Sequence, residues 1–157
     1  MNFNPWIAGP IFLGVGLPLF FGLLLATIAR VGGWSELARS YRTTEPTPFP
    51  RMRMQSADLR RWCGYGNVLT LATDGEALFM SLPFPFGFGH PKLRLPWSEA
   101  QVEQSTHWFG IKTTTLTFER VPNTPIRIKR ATAERLIEYA RQARDRTVGE
   151  GVPESRR

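Results

Sequence analysis

Residues 6–28 read WIAGPIFLGVGLPLFFGLLLATI, an unbroken apolar run that contains no Lys, Arg, Asp or Glu. A helix of this length, at ~1.5 Å per residue, extends for roughly 33 Å, which is enough to cross the hydrocarbon core of a bilayer. A soluble domain has no use for so long a segment without one charge. The run therefore predicts a single transmembrane anchor within residues 1–30, followed by a polar remainder.

A cleaved secretory signal is the alternative for an apolar segment near an N-terminus. Such a signal starts with a cationic stretch, has a shorter apolar centre of ~7–15 residues and ends at small residues. Residues 1–5, MNFNP, carry no cation and the apolar run is longer, although Thr27 and Ala29 weakly resemble a cleavage site. We therefore expect the segment to be retained as an anchor.

Cations flank only one end of this run. Arg30, Arg39 and Arg42 follow it and none precedes it, and loops rich in Lys and Arg stay on the cytoplasmic side of a membrane. The single Cys63, which cannot form an internal disulfide, agrees with a reducing compartment. We expect a single-pass protein of the inner (cytoplasmic) membrane, with its N-terminus outside and its larger C-terminal part in the cytoplasm.

One face of the apolar run has little bulk. Its members recur every four residues and are Gly14, Pro18, Gly22 and Ala26. Small residues at this spacing allow a second membrane helix to approach closely, which predicts a contact with another integral membrane protein subunit. The alternative is that Gly and Pro are simply more frequent in membrane helices than in soluble ones.

Residues 31–50 connect the anchor to the rest of the chain. Trp34, Leu37 and Tyr41 share one helical face, and Trp and Tyr favour the headgroup level of a membrane. We predict a short amphipathic helix on the membrane surface; the alternative is a helix that packs the same face against the domain or a partner. An extended, semi-rigid linker is then predicted by three alternating prolines, Pro46, Pro48 and Pro50.

From residue 51 the pattern changes to short alternating runs that are typical of β-strands. We predict strands in six segments, which are residues 67–72, 77–82, 92–97, 108–112, 114–120 and 125–129. A helical period follows over residues 131–147, with Thr132 as its N-cap. The predicted fold class is one N-terminal transmembrane helix plus a mainly-β (β+α) domain over residues 51–147, and residues 148–157 are predicted to form a flexible tail.

Several antiparallel strands followed by one closing helix resemble the pleckstrin-homology-like (PH-like) fold, in particular the GRAM-like domains of bacterial membrane-anchored proteins. The resemblance is carried by residues 74–80, DGEALFM, by residues 93–99, LRLPWSE, and by the closing helix. It implies a β-barrel that the C-terminal helix plugs at one end. Two features depart from the pattern: a Pro- and Phe-rich insert, and Ala100 in place of a larger aliphatic residue.

The insert, residues 82–91, reads LPFPFGFGHP. Phe84, Phe86 and Phe88 alternate, so an extended backbone would project all three side chains to one side. Two interpretations are open: an exposed patch that contacts a partner or the bilayer interface, or a buried part of the core. Pro83 and Pro85 disfavour a central strand but permit an edge strand.

The chain has a net charge of +7, and several of its arginines lie early in the domain, close to the linker. They are Arg51, Arg53, Arg60 and Arg61. Near a membrane such cations attract anionic lipid headgroups, at ~1 kcal/mol each, or acidic patches on a partner; the alternative is an ordinary solvated face. Because the positive charge is interleaved with Glu, nucleic acid is not an expected partner.

No residue pattern indicates catalysis. His90, His107 and Cys63 lack the paired spacing of metal ligands, and no Gly-rich phosphate loop is present. We expect no catalytic residue, metal, cofactor or small-molecule substrate. The sequence predicts a non-enzymatic, membrane-anchored interaction module, an accessory or scaffolding subunit of a larger membrane protein complex. The alternative is an adaptor whose PH-like domain binds anionic lipid headgroups.

Overall fold

The structure, a computed structural model, describes residues 12–60, 63–106 and 111–150. It begins with a π-helical turn, Phe12–Gly16, that continues into helix α1, Leu17–Val31. The segment Leu13–Val31 is the one helix in these ranges that is long and apolar enough to cross a membrane. Most of its side chains are exposed, and those of Leu25 and Ala29, near its C-terminal end, are buried.

Two glycines turn the chain from α1 into helix α2, Trp34–Tyr41. Gly33 adopts a φ of +90°, a left-handed conformation that suits glycine. Its carbonyl accepts hydrogen bonds from the backbone N–H groups of Glu36 at 3.1 Å and Leu37 at 3.2 Å, which start α2. The chain therefore passes from one helix to the next without a flexible linker.

Seven antiparallel strands form one curled sheet, a half-barrel, in the order β4-β3-β2-β1-β7-β6-β5. The strands are β1 Arg51–Leu59, β2 Cys63–Thr73, β3 Ala77–Ser81, β4 Leu93–Pro96, β5 Ala100–Thr106, β6 Lys112–Phe118 and β7 Val121–Lys129. Strands β1 to β4 pair consecutively in one half of the sheet, and β5 to β7 pair consecutively in the other. The pairing of β1 with β7 joins the two halves. Strands β4 and β5 are the two edges, and the short helical turn Trp97–Glu99 links them.

Helix α3, Arg130–Glu150, follows β7 and packs across β2, β6 and β7. Its inner face contributes Ala133 and Leu136 to the main core. An apolar N-terminal helix, an antiparallel β domain and a C-terminal helix follow one another as predicted, so the β+α fold class is confirmed. Membership of the PH-like fold stays a prediction.

Strand β5 is not predicted by the sequence pattern. All of its side chains are exposed or half-buried, so this edge strand has no alternation of buried and exposed positions. Of the predicted strand over residues 108–112, residues 108–110 lie outside the described residues. Alternation does hold in β4, where Leu93 and Leu95 are buried on one face as predicted.

Helix α2 lies in the core of the domain. Trp34 and Leu37 are completely buried, and Tyr41 is only 4% exposed. The prediction that these three side chains lie in the membrane interface is wrong, because α2 packs against β4 and β7. A helical period reveals which face of a helix is apolar, but it does not reveal which surface covers that face.

Candidate functional site

Arg60, one of the four arginines predicted to contact a partner or lipid, is bound within the chain. Its guanidinium pairs with Glu36 of α2, and its Nε donates a hydrogen bond to Thr124 Oγ1 at 3.3 Å. Its Nη1 donates to the carbonyl of Val31, the last residue of α1, at 3.4 Å. Arg60 thus ties the end of α1 and the start of α2 to β7. Arg61 lies outside the described residues.

Glu36 is the acceptor at the centre of this contact. Thr124 Oγ1 donates to Glu36 Oε2 at 2.7 Å, and Thr124 is fully buried. The hydrogen bond from Thr124, and then that from Arg60, hold the pKa of Glu36 below its ordinary value. The carboxylate is therefore fixed as an anion between two donors, which is a structural role.

A second carboxylate holds the other end of α2. Tyr41 Oη donates to Glu99 Oε2 at 2.6 Å, and Arg120 Nη2 donates to Glu99 Oε1 at 2.7 Å. The hydrogen bond from Tyr41 is the main reason that the pKa of Glu99 is lowered. Burial, with the bond to Glu99, raises the pKa of Tyr41 to about 12. Helix α2 is thus fastened to the sheet at both ends.

Arg51 and Arg53 line an open depression beside β1, β2 and β3, with a volume of about 880 Å³. We call it the basic depression; its polar lining includes Arg51, Arg53, Lys92, Asn67, Thr70 and Ser81. The guanidinium of Arg51 lies 3.8 Å from the ring centroid of Phe49, and its Nε has no hydrogen-bond partner within the described residues. No described carboxylate lines the depression, so its charge favours an anion.

Residues 82–91, which we call the Phe loop, connect β3 to β4 through a series of turns. The N–H of Gly87 donates to the carbonyl of Pro83 at 3.1 Å, so the backbone is not extended. Phe84, Phe86 and Phe88 are 84%, 38% and 58% exposed, which excludes the buried-core interpretation. The rings of Phe84 and Phe88 pack edge to face, with 5.9 Å between centroids.

His90 fastens the Phe loop to the base of α2. The His90 ring is buried, with Nδ1 at 3.0 Å from the carbonyl oxygen of Phe88 and Nε2 at 3.1 Å from Tyr65 Oη. A neutral ring that donates from Nδ1 and accepts at Nε2 satisfies both contacts, and burial lowers the pKa of His90. The ring packs edge-on against Trp34, and Trp34 Nε1 donates to the carbonyl of Pro91 at 3.0 Å. A structural role or simple exposure is what the sequence predicts for His90, but no local pattern identifies Tyr65 and Trp34 as its neighbours.

The Phe loop touches α1 through Gly89. A Cβ built on Gly89, whose φ is +74°, would lie 3.1 Å from the Cα of Ala26. Ala26, predicted to contact a partner helix, is half-buried and partly covered by the chain's own loop, and this part of the prediction is corrected. A Cβ built on Gly14 or Gly22 would meet nothing within 4 Å. The small-residue face that stays open thus consists of Gly14, Pro18 and Gly22.

An apolar groove lies between β5, β6 and α3, with a cavity volume of about 240 Å³. Val102 and Ile137 line it and are 56% and 48% exposed. Its lining, taken over the described residues, holds no His or Cys that could act beside its one carboxylate, Glu134. The groove therefore offers apolar area and no arrangement of reactive groups.

Reactive side chains are scattered in the part of the chain that the structure describes. There, no group of three His, Cys, Asp or Glu side chains could hold a metal ion. Burial raises the pKa of the Cys63 thiol, which lowers its thiolate fraction and hence its reactivity. His107 lies outside the described residues.

Comparisons of the chain with models of protein families, with curated proteins and with solved structures find no match. The candidate site is therefore defined by its geometry. The Phe loop abuts α1 at Ala26, and Gly87 and His90 of the same loop line the basic depression. The end of α1, an exposed aromatic loop and a cationic surface thus meet on one side of the domain.

Proposed function

We propose that this protein is a non-enzymatic, membrane-anchored interaction module, an accessory or scaffolding subunit of a larger membrane protein complex. One observation carries the proposal: α1 enters the core of the domain directly. Ala29 of α1 and Trp34 of α2 belong to the same buried cluster as the sheet, and Arg60 binds the carbonyl of Val31. A domain joined in this way cannot swing freely on its anchor, which suits a part with a fixed place in an assembly.

Helix α1 is the element that would meet partner subunits within the inner membrane. Its apolar side chains are exposed along most of its length, and its small-residue face is open at Gly14 and Gly22. Close packing of membrane helices uses such faces, because lipid provides no hydrophobic force between helices. The arginines that follow the apolar run, Arg30, Arg39 and Arg42, favour a cytoplasmic position for the domain.

Replacing Gly22 with Leu tests the helix contact. The added side chain would meet open space within the chain itself, so the fold should be unaffected, whereas a partner helix would be pushed away. Native mass spectrometry of protein extracted from its own membranes in mild detergent should show a defined larger assembly. The fraction of protein in that assembly should fall several-fold in Gly22→Leu.

Thr27→Phe is the matched control, because it adds similar bulk at an exposed position of α1 outside the small-residue face. It should leave the assembly intact. A wild-type protein found only as a monomer or homo-oligomer with lipid would contradict the subunit proposal. An assembly that is unchanged in Gly22→Leu would contradict the proposal that the small-residue face contacts a partner helix.

The basic depression supports a second candidate function, an adaptor that binds anionic lipid headgroups. Its cations, Arg51, Arg53 and Lys92, face no carboxylate among the lining residues described, and each cation near an anionic membrane contributes ~1 kcal/mol. Full-length Arg53→Glu should retain fewer anionic lipids in native mass spectra, with a strong dependence on salt. Arg141→Glu makes the same charge change at an exposed position of α3, and equal lipid retention in the two variants would contradict this candidate.

A further inference from the structure

The Phe loop turns aromatic surface outward. Phe84 is 84% exposed and Phe88 is 58% exposed, and residues 82–91 contain no Lys, Arg, Asp or Glu. Removing apolar surface from water is worth roughly 25 cal/mol per Å². Two phenylalanines held outward in this way indicate a surface that contacts an apolar partner or a membrane.

The position of the loop along α1 indicates what lies around it. Gly89 packs against the backbone of Ala26. Ala26 precedes Arg30, the first charged residue after the apolar run, by ~6 Å along the helix axis. The headgroup zone of one leaflet is roughly 5–7 Å thick. With Arg30 among the headgroups, Gly89 lies at the boundary between headgroups and acyl chains.

We propose that Phe84 and Phe88 insert into the leaflet on the same side of the membrane as the β domain, where acyl chains cover them. The inference rests on the proposed crossing of the membrane by α1, and it adds a second contact between the domain and the same bilayer. Lipid is the occupant because the loop is packed on α1 itself, so the lipid that surrounds this helix also surrounds the loop. Lys92, directly after the loop and exposed, is then close to the headgroups.

The loop is held in this position before any lipid binds. Its C-terminal end is fixed by the contact of His90 with Tyr65 and by the hydrogen bond from Trp34 to the carbonyl of Pro91. Insertion therefore requires little ordering of the loop, which is a large part of the free-energy cost of many binding events. Two fixed points, α1 and the Phe loop, set the tilt of the domain on the membrane.

Fluorescence of single labelled cysteines tests the proposal on the full-length protein in phosphatidylcholine vesicles. Cys63 is first replaced by Ser. Three variants of this protein then carry one cysteine each, Phe84→Cys, Leu19→Cys or Gln142→Cys, and that cysteine is labelled with the fluorophore NBD. Leu19 is 67% exposed on α1. Gln142 is exposed on α3. This part of α3 contacts Gly75. Gly75 lies just before β3, at the opposite end of that strand from the Phe loop. A nitroxide-labelled lipid quenches labels among acyl chains, and iodide quenches labels in water.

We expect the lipid nitroxide to quench the label at Phe84 several-fold more strongly than the label at Gln142, and iodide to do the reverse. Loss of this difference, with the label at Leu19 still quenched by lipid, overturns the inference and leaves the anchor intact. A label at Leu19 that is open to iodide overturns the membrane crossing as well. Protection of the label at Phe84 from both quenchers indicates a protein contact and also overturns the inference.

Discussion

The carboxylate of Glu36, in α2, binds two distant parts of the structure. One is Arg60, directly after β1, and the other is Thr124 of β7. Thr124, which donates to it, is completely buried, and a buried hydroxyl that loses its partner costs about 1–3 kcal/mol. Glu36→Ala should therefore lower the free energy of unfolding by about 1–3 kcal/mol. Unfolding of the purified full-length chain in detergent, followed by circular dichroism, measures the change.

Glu45 provides the matched control for this prediction. Its side chain is 58% exposed, and its carboxylate pairs with Arg94 at 3.3 Å. Exposed ion pairs contribute about 0–1 kcal/mol. Glu45→Ala should thus leave the free energy of unfolding nearly unchanged. Equal losses of stability in the two variants would contradict the role that the structure gives Glu36.

The same carboxylate should make stability depend on pH. Because Thr124 and Arg60 favour the ionised form, the pKa of Glu36 in the folded protein lies below its ordinary value of 4.5. The unfolded chain binds this proton more readily, so the stabilisation is present above the ordinary pKa and is lost as the pH falls through the folded-state pKa. The stability difference between wild type and Glu36→Gln should shrink on acidification, and a difference that is constant with pH would contradict this.

At the scale of elements, the junction between α1 and α2 makes α1 and the β domain one structure. Gly32 and Gly33 form this junction, and both are buried. A Cβ on Gly33 would lie 2.6 Å from Thr124 Cγ2, at a φ of +90° that other residues rarely adopt. Left-handed backbone costs roughly 1–2 kcal/mol for a residue with a Cβ, and overpacking adds roughly 1–3 kcal/mol.

Gly33→Ala should therefore destabilise the protein by about 2–5 kcal/mol. Gly66→Ala is its control, since Gly66 is exposed and an added Cβ there meets nothing within 4 Å; this variant should stay within about 0.5 kcal/mol of wild type. Thermal unfolding in one detergent compares the two. If both variants were equally stable, the junction would tolerate a side chain and the tight coupling of α1 to the domain would be disproved.

At the scale of the whole molecule, the domain is complete only with α2. Trp34 and Leu37 are fully buried in the main core. Truncation of such a side chain costs about 2–5 kcal/mol of stability. The free energy of unfolding of a whole domain is only about 5–15 kcal/mol. A fragment of residues 51–157 should lose fixed tertiary packing, whereas residues 33–157 should keep more of it. Near-ultraviolet circular dichroism and protease resistance distinguish the two fragments, and equal results would show that α2 is dispensable.

Most of the elements and their order follow from local patterns in the sequence. An apolar helix follows from residues 6–28, and strands followed by a helix follow from periods of two and about 3.6 residues. The burial of Leu93 and Leu95 needs only this alternation. Such patterns suffice because each depends on neighbouring residues and on water alone. Strand β5 escapes them, since an edge strand that is exposed on both faces has no periodic signal.

What each helix face and each charged side chain contacts depends on long-range packing. Arg53 and Arg60 are equivalent in the sequence, yet Arg53 is exposed while Arg60 meets Glu36, which is 24 positions away. The apolar face of α2 meets the sheet, and Gly89 of the Phe loop meets Ala26 of α1. A pattern along the chain records that a face is apolar. The surface that covers the face comes from a distant segment, and only long-range packing brings the two together.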